Sequence, residues 1–256
     1  MRIAQIILPD ASQYERKSAR ADLAALEGRY EFVDDPRKSD LAHVYGGGEL
    51  PSSLRISVPY VSSTSMTRSR WPWRRAAGPA RVVTWRELPE VVEDVFFTRE
   101  PREERTGPKM IGSFHRRGTQ NMVEQTLSRI HRFRDDVAWS VIDHVPTPAD
   151  LRKVDVWADP AVEEEDLDGF TAEALVSGVP VVATRTEINI ARSERGRTAF
   201  LVPGNDPNEM THAILAALFK SEAAQAKIQA AGQTASKFRS RQRLRVLTHL
   251  YETLTQ

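Results

Sequence analysis

The sequence predicts an α/β protein: parallel sheets covered by helices on both faces. Three observations carry this. Short apolar runs alternate with amphipathic ones along the chain, as in strands joined by helical crossovers. Two stretches carry strong helix signals. Asp206-Pro207-Asn208-Glu209 reads as a cap, a first-position proline and a third-position glutamate. Val123, Leu127 and Ile130 recur at the helical period after Thr119. Finally, residues 98–109 are polar, charged and punctuated by Pro and Gly, as linkers between domains are.

Taken in order, strands are predicted at 3–8, 41–45, 54–61, 81–85, 94–98, 110–114, 138–142, 154–158, 179–183 and 199–202. Each is a short apolar run bounded by turn-forming residues. Helices are predicted at 13–26, 120–132, 148–152, 171–177, 207–220, 222–237 and 241–254. Met210, Ile214, Ala217 and Leu218 set the apolar face of the helix that begins at 207. The expected division is a domain over 1–105 and a second over 106–256, with the last helix crossing back to the first.

The bulk numbers fit this class. A chain of 256 residues with 40% hydrophobic content can fill one large core or two small ones. A net charge of +1 argues against a polyelectrolyte binder, and no nucleic-acid partner is expected. The absence of cysteine excludes disulfides and thiolate metal sites and suits a reducing compartment. The first apolar stretch is short and meets a proline and charges, so it reads as a strand rather than a leader. No apolar run reaches the roughly 18 residues that a membrane span needs. A cytoplasmic protein is therefore expected.

Charge is unevenly placed. Seven arginines and no acid lie between Leu50 and Arg86, with Trp71, Trp73 and Trp85 among them. Most of this reads as a solvated loop. Its second reading is peripheral contact with an anionic membrane through Arg68–Arg75, since tryptophan favours the interface and each basic residue adds about 1 kcal/mol. The opposite bias stands in Glu163–Asp168, five acids in six positions.

Ligands of open parallel sheets bind where strands end and helices begin, because helix N-termini offer amides and a positive dipole end. "KMIGSFHRRGTQNM" is such a junction: a strand ends near Phe114 and His115-Arg116-Arg117-Gly118-Thr119 leads into a helix. Two arginines there suit a diphosphate, which favours planar bidentate donors, though a solvated basic turn has equal standing. The next junction is "VDVWADP" through the acidic loop to "DGFTAEAL". Thr171 is the expected N-cap, which puts Glu173 in the first turn, where a carboxylate gains from the dipole for structural reasons alone. In the first domain, Gly46-Gly47-Gly48 after a strand offers a backbone-lined approach to a substrate, or a flexible turn. His43, in that strand, is expected to be packed or solvated rather than catalytic.

The order of pieces resembles a known family. Glu173-Ala174, Ser177-Gly178, Pro180-Val181-Val182-Ala183, then Gly196-Arg197-Thr198-Ala199-Phe200-Leu201-Val202-Pro203 and Asp206 are similar to the C-terminal half of the family 4 (group 1) glycosyltransferases. These have the GT-B fold of two facing Rossmann-like domains. The likeness spans about residues 108–256. It implies transfer of a sugar from a nucleotide-sugar to an acceptor hydroxyl, a saccharide or a lipid-linked one, with retention at the anomeric carbon and no metal. The nucleotide-sugar is a co-substrate; no cofactor is implied.

Carried over by position, Arg116 and Arg117 would hold the diphosphate and stabilise the leaving group, with Gly112, His115 and Gly118 beside them. Glu173 would bond the donor ribose, near Gly169, Phe170, Thr171 and, across the next strand, Glu187. His43, Gly46 and Gly47 would lie on the acceptor side. The family's Glu-x7-Glu pair is altered here. Asp168 is favoured for the first position and a catalytic role, with three residues missing, because Gly169-Phe170 matches beside it; Glu165 fits that position if the eight-residue spacing is kept and would then bind the donor. Losing three residues turns a helix face by only about 60° and shortens it by about 4.5 Å. The family's glycine pair after the next strand is replaced by "TRTEIN", and the first domain is shorter than the resemblance implies. Those departures favour the alternative: a binding or scaffold protein that keeps the nucleotide-sugar domain without catalysis.

Overall fold

The computed structural model describes residues 1–8, 11–46, 60–64, 80–84, 87–98, 106–116, 118–161 and 168–255. The chain runs β1 (Arg2–Ile7), α1 (Gln13–Leu26), β2 (Glu31–Val33), β3 (Leu41–Tyr45), β4 (Tyr60–Thr64) and β5 (Ala80–Thr84). It continues through β6 (Lys109–Phe114), α2 (Gln120–Ile130), β7 (Val137–Ile142), α3 (Pro148–Arg152), β8 (Val156–Asp159) and α4 (Thr171–Val176). Then come β9 (Val181–Thr184), α5 (Glu187–Arg192), β10 (Phe200–Val202), α6 (Pro207–Phe219), α7 (Ser221–Thr234) and α8 (Ser240–Leu254). Two compact units emerge: Met1–Val92 with Lys237–Gln256, and Glu93–Ser236.

The first unit holds a sheet of order β2-β1-β3-β4-β5. Its strand pairings are parallel, with Ile3 facing both Phe32 and Leu41 in register. α1 starts on a capping box: Ser12 accepts from the Glu15 amide at 3.2 Å, and Glu15 accepts from the Ser12 amide at 2.7 Å. Ile3, Leu26, Leu41, Val61 and Leu88 pack with Leu247 and Tyr251 of α8. A polar cluster sits inside this apolar shell. Arg243 of α8 donates to both Asp22 oxygens, at 2.5 and 2.8 Å, and to the Pro89 carbonyl at 3.1 Å. Tyr45 donates to Asp22 at 2.8 Å. The Tyr251 hydroxyl meets His43 Nδ1 at 2.5 Å.

The second unit holds a sheet of order β10-β9-β8-β6-β7, again with parallel pairings. Ile111, Val156, Ala158 and Val182 of the strands pack against Ile130 of α2 and Met210, Ile214 and Ala217 of α6. α6 begins as the sequence predicts: Asp206 accepts from the amides of Asn208 and Glu209 at 3.0 and 3.1 Å, and Pro207 follows it.

Some predicted elements differ. Residues 94–98 are a 3₁₀ turn, Asp94–Phe97, rather than a strand. Here Phe96 is buried while Val95 is 54% exposed, and the Phe96 carbonyl accepts from Ser177 Oγ at 3.2 Å. Its aromatic, β-branched composition resembles a strand, but its carbonyl serves a side chain instead of a ladder. The helix expected to 237 ends at Thr234 and tightens into a 3₁₀ turn, Ala235–Phe238. Of the strand expected at 54–61, Tyr60 and Val61 lie in β4; residues 54–59, Trp71, Trp73, Trp85 and the Arg68–Arg75 stretch lie outside the described residues.

Candidate functional site

The carboxyl ends of β6, β8 and β9 converge on one carboxylate. Asp159 is the last residue of β8 and is 1% exposed. It accepts from Thr171 Oγ1 at 2.8 Å, from Asn189 Nδ2 at 2.9 Å, and from the Arg116 guanidinium, which pairs with its other oxygen. Asn189 also donates to the Thr184 carbonyl at the end of β9, at 3.1 Å. Burial works to raise the Asp159 carboxyl. The charge of Arg116, the Asn189 and Thr171 donors and the charge of Arg192 outweigh it and hold the group below the usual carboxylate range.

The turn before α4 is built onto this carboxylate. A Cβ at Gly169 would overlap the Asp159 carboxylate, so only glycine permits the approach. Trp157, fully buried, donates its indole N–H to the Gly169 carbonyl at 2.8 Å. Phe170 follows with φ of 50°, in the left-handed region, and its ring packs edge-on against Phe114 at 4.7 Å between centroids.

The expected site residues fall into distinct places. Arg116 is buried against Asp159, and Thr119 Oγ1 donates to the Arg116 carbonyl at 2.9 Å. The Arg116 guanidinium faces the Asp159 carboxylate. Because the Thr119 hydroxyl points back in this way, no described side chain caps the first amides of α2. Thr171 is not the N-cap of α4. Phe170 holds that position, and the Thr171 hydroxyl serves Asp159 instead. Asp168 accordingly stands two residues before the cap, half-buried.

Glu173 lies in the first turn of α4 and is 1% exposed. His115 and Gly118 are exposed; the His115 amide donates to the Ile142 carbonyl at 2.7 Å, and Gly118 turns the chain at φ of 86°. Glu187 opens α5 in the open, beside its cap Thr186.

Gly112 has a packing reason: a Cβ there would stand 2.7 Å from Val154 Cγ1 and 3.1 Å from the Trp157 ring. In the first unit, Gly46 has φ of 125°, and a Cβ there would meet Leu8 Cβ at 2.9 Å. His43 is buried with its tyrosines, and burial pushes its imidazole down to about 3. Arg117, Glu165 and Gly47 lie outside the described residues.

Sequence reasoning missed Asp159 and Asn189. The available signal was an aspartate closing the apolar run "VDVWADP" at the end of a predicted strand. Its weight shows only when Arg116, distant in sequence, is seen beside it.

Among the described residues, no helix is long and apolar enough to cross a membrane. A comparison with curated protein sequences finds no match. Among solved structures, the chain is similar to a glycosyltransferase from Rickettsia africae ESF-5, with a TM-score of 0.65 at 10% identity over 99% of this chain and 98% of that one. It is similar to Anabaena Alr3699/HepE in complex with UDP, with a TM-score of 0.65 at 13% identity over 99% and 100%. It also aligns with WaaG, a glycosyltransferase involved in lipopolysaccharide biosynthesis, with a TM-score of 0.58 at 9% identity over 94% and 97%. The family model described as glycosyl transferases group 1 matches residues 111–219. Residues 111–219 are thus similar to the group 1 glycosyl transferases, and the α/β architecture is similar to that of solved glycosyltransferases.

Proposed function

We propose that the protein transfers a sugar from a nucleotide-sugar to an acceptor hydroxyl. One observation carries this reading: residues 111–219, which match the group 1 glycosyl transferases, also hold the strand ends that converge on Asp159. The donor lies there, at the carboxyl edge of the second sheet. The bond that breaks leaves negative charge on a diphosphate. The uncapped first turn of α2, with His115 and Arg117 next to it in sequence, supplies N–H groups and positive charge for that leaving group. Glu173 bonds the ribose, with Asp168 or Glu165 in the place of the family's first glutamate.

The reading extends to a hexosyltransferase-type reaction with retention and no metal, as the sequence resemblance implies. UDP is the first nucleotide to test, because the Anabaena protein binds it. The acceptor is a saccharide or a lipid-linked hydroxyl, with Arg68–Arg75 touching the membrane from the cytoplasmic side. A non-catalytic nucleotide-sugar binder is the second reading. The Arg116–Asp159 pair favours it, because it neutralises one cation expected at the diphosphate.

Calorimetric titration with UDP, GDP and their sugars tests binding. Product NMR with oligosaccharide and lipid-linked acceptors then tests transfer. Binding with no transfer to any acceptor supports the second reading, and no binding at millimolar nucleotide overturns both. Donor affinity left intact by Glu173→Ala removes that residue from the site.

A further inference from the structure

We propose that Arg116 acts on the bound nucleotide through Asp159, as half of a buried strut that shapes the site, and that Asp159 is a positioning residue. The proposal rests on the glycosyltransferase reading, since that reading places the nucleotide beside these strand ends.

The geometry separates this role from direct phosphate binding. The side chains of Arg116 and Asp159 are 7% and 1% exposed and already in contact. A diphosphate that took the guanidinium would leave the Asp159 charge in a low-dielectric interior, and breaking a buried pair is strongly unfavourable. The two oxygens of Asp159 are also divided between tasks. One pairs with Arg116 after β6; the other takes Thr171 at the start of α4 and Asn189 of α5, at 2.8 and 2.9 Å. Three chain segments that border the proposed donor site are thus fixed to one group.

The turn over Gly169 rests directly on that carboxylate, with Trp157 holding its carbonyl at 2.8 Å. A shift of Asp159 therefore moves Phe170 and Thr171, and with them the first turn of α4 that bears Glu173.

The test is calorimetry on the full chain with UDP, GDP and ADP, following whichever the wild type binds most tightly. The variants are Arg116→Met, Asp159→Asn and the double substitution. Each single variant removes one partner of the buried pair, and the double removes both. The strut predicts that each single variant weakens binding roughly tenfold or more and that the double recovers to within about threefold of wild type. Thr171→Val, which deletes one donor to Asp159, should weaken binding by a smaller factor without stranding a charge.

If Arg116 holds the phosphate directly, Arg116→Met and the double will be equally weak while Asp159→Asn binds as well as wild type or better. That pattern overturns the proposal. Unchanged affinity in every variant overturns it too.

Wild type, Arg116→Met, Asp159→Asn and the double are also melted without nucleotide, where the singles should fall and the double recover. Independent, additive losses overturn the strut. Failure of the wild type to bind any of the three nucleotides overturns the transferase reading, and the melting coupling still decides whether the strut exists.

Discussion

Gly112→Ala is expected to destabilise the second unit while leaving nucleotide affinity nearly intact. The new methyl would stand 2.7 Å from Val154 Cγ1, 3.1 Å from Trp157 Cε3 and 3.2 Å from Cζ3. Both neighbours are confined: Val154 is 3% exposed and Trp157 is fully buried. Overpacking of this kind costs about 1–3 kcal/mol. Replacing a strand glycine returns about 0.5–1 kcal/mol of backbone entropy. The net loss is about 0.5–2 kcal/mol, or roughly 2–8 °C in the melting of a unit of this size.

Val154→Ala deletes the atom in closest conflict. By itself it leaves a cavity that costs about 1–2 kcal/mol. Combined with Gly112→Ala it should cost less than the two losses added. Differential scanning calorimetry gives the unfolding temperatures, and titration with UDP gives the affinity. An unchanged melting temperature together with lost UDP binding would refute the packing account and return Gly112 to the ligand.

Other expectations follow from the same geometry. Arg243→Met strands the buried Asp22 carboxylate and removes a donor from the Pro89 carbonyl. It should cost the first unit about 3–5 kcal/mol, read as an earlier melting transition. His43 is held neutral down to about pH 3. The unfolded chain binds its proton near 6.5, so stability rises with pH between those values and is lost as pH falls from about 6.5 toward 3. NMR of the His43 imidazole should show no titration between pH 5 and 8, and a midpoint there contradicts the buried network. Ser12→Ala removes half of the α1 capping box and should cost about 1 kcal/mol in chemical denaturation.

The elements that the sequence specified best are those whose signals are local. The Asp206-Pro207 start of α6 and the period of Val123, Leu127 and Ile130 depend on near neighbours, and both helices form there. The Asp94–Phe97 turn misled because aromatic and β-branched composition speaks for a strand only when a ladder partner is present. The site was legible as a place, the junctions after β6 and β8, more than as a set of roles. Thr171 has the residue type of a cap, but a buried acceptor 12 positions away takes its hydroxyl. Arg116 reads as a surface cation until Asp159, 43 positions on, is brought against it. Such roles are set by tertiary pairing, which no window of sequence contains.

The first unit is assembled from two stretches of chain, Met1–Val92 and Lys237–Gln256, with the whole second unit between them. The stretches meet where the Val92 amide donates to the Phe238 carbonyl at 2.9 Å. Closing a free loop of that length would cost on the order of 4 kcal/mol of chain entropy, growing only logarithmically with length. A second unit that folds first removes much of that cost by fixing the span between the two stretches. Folding of the first unit is then coupled to folding of the second: loosening the second sheet slows the docking of α8 by restoring a long, floppy tether.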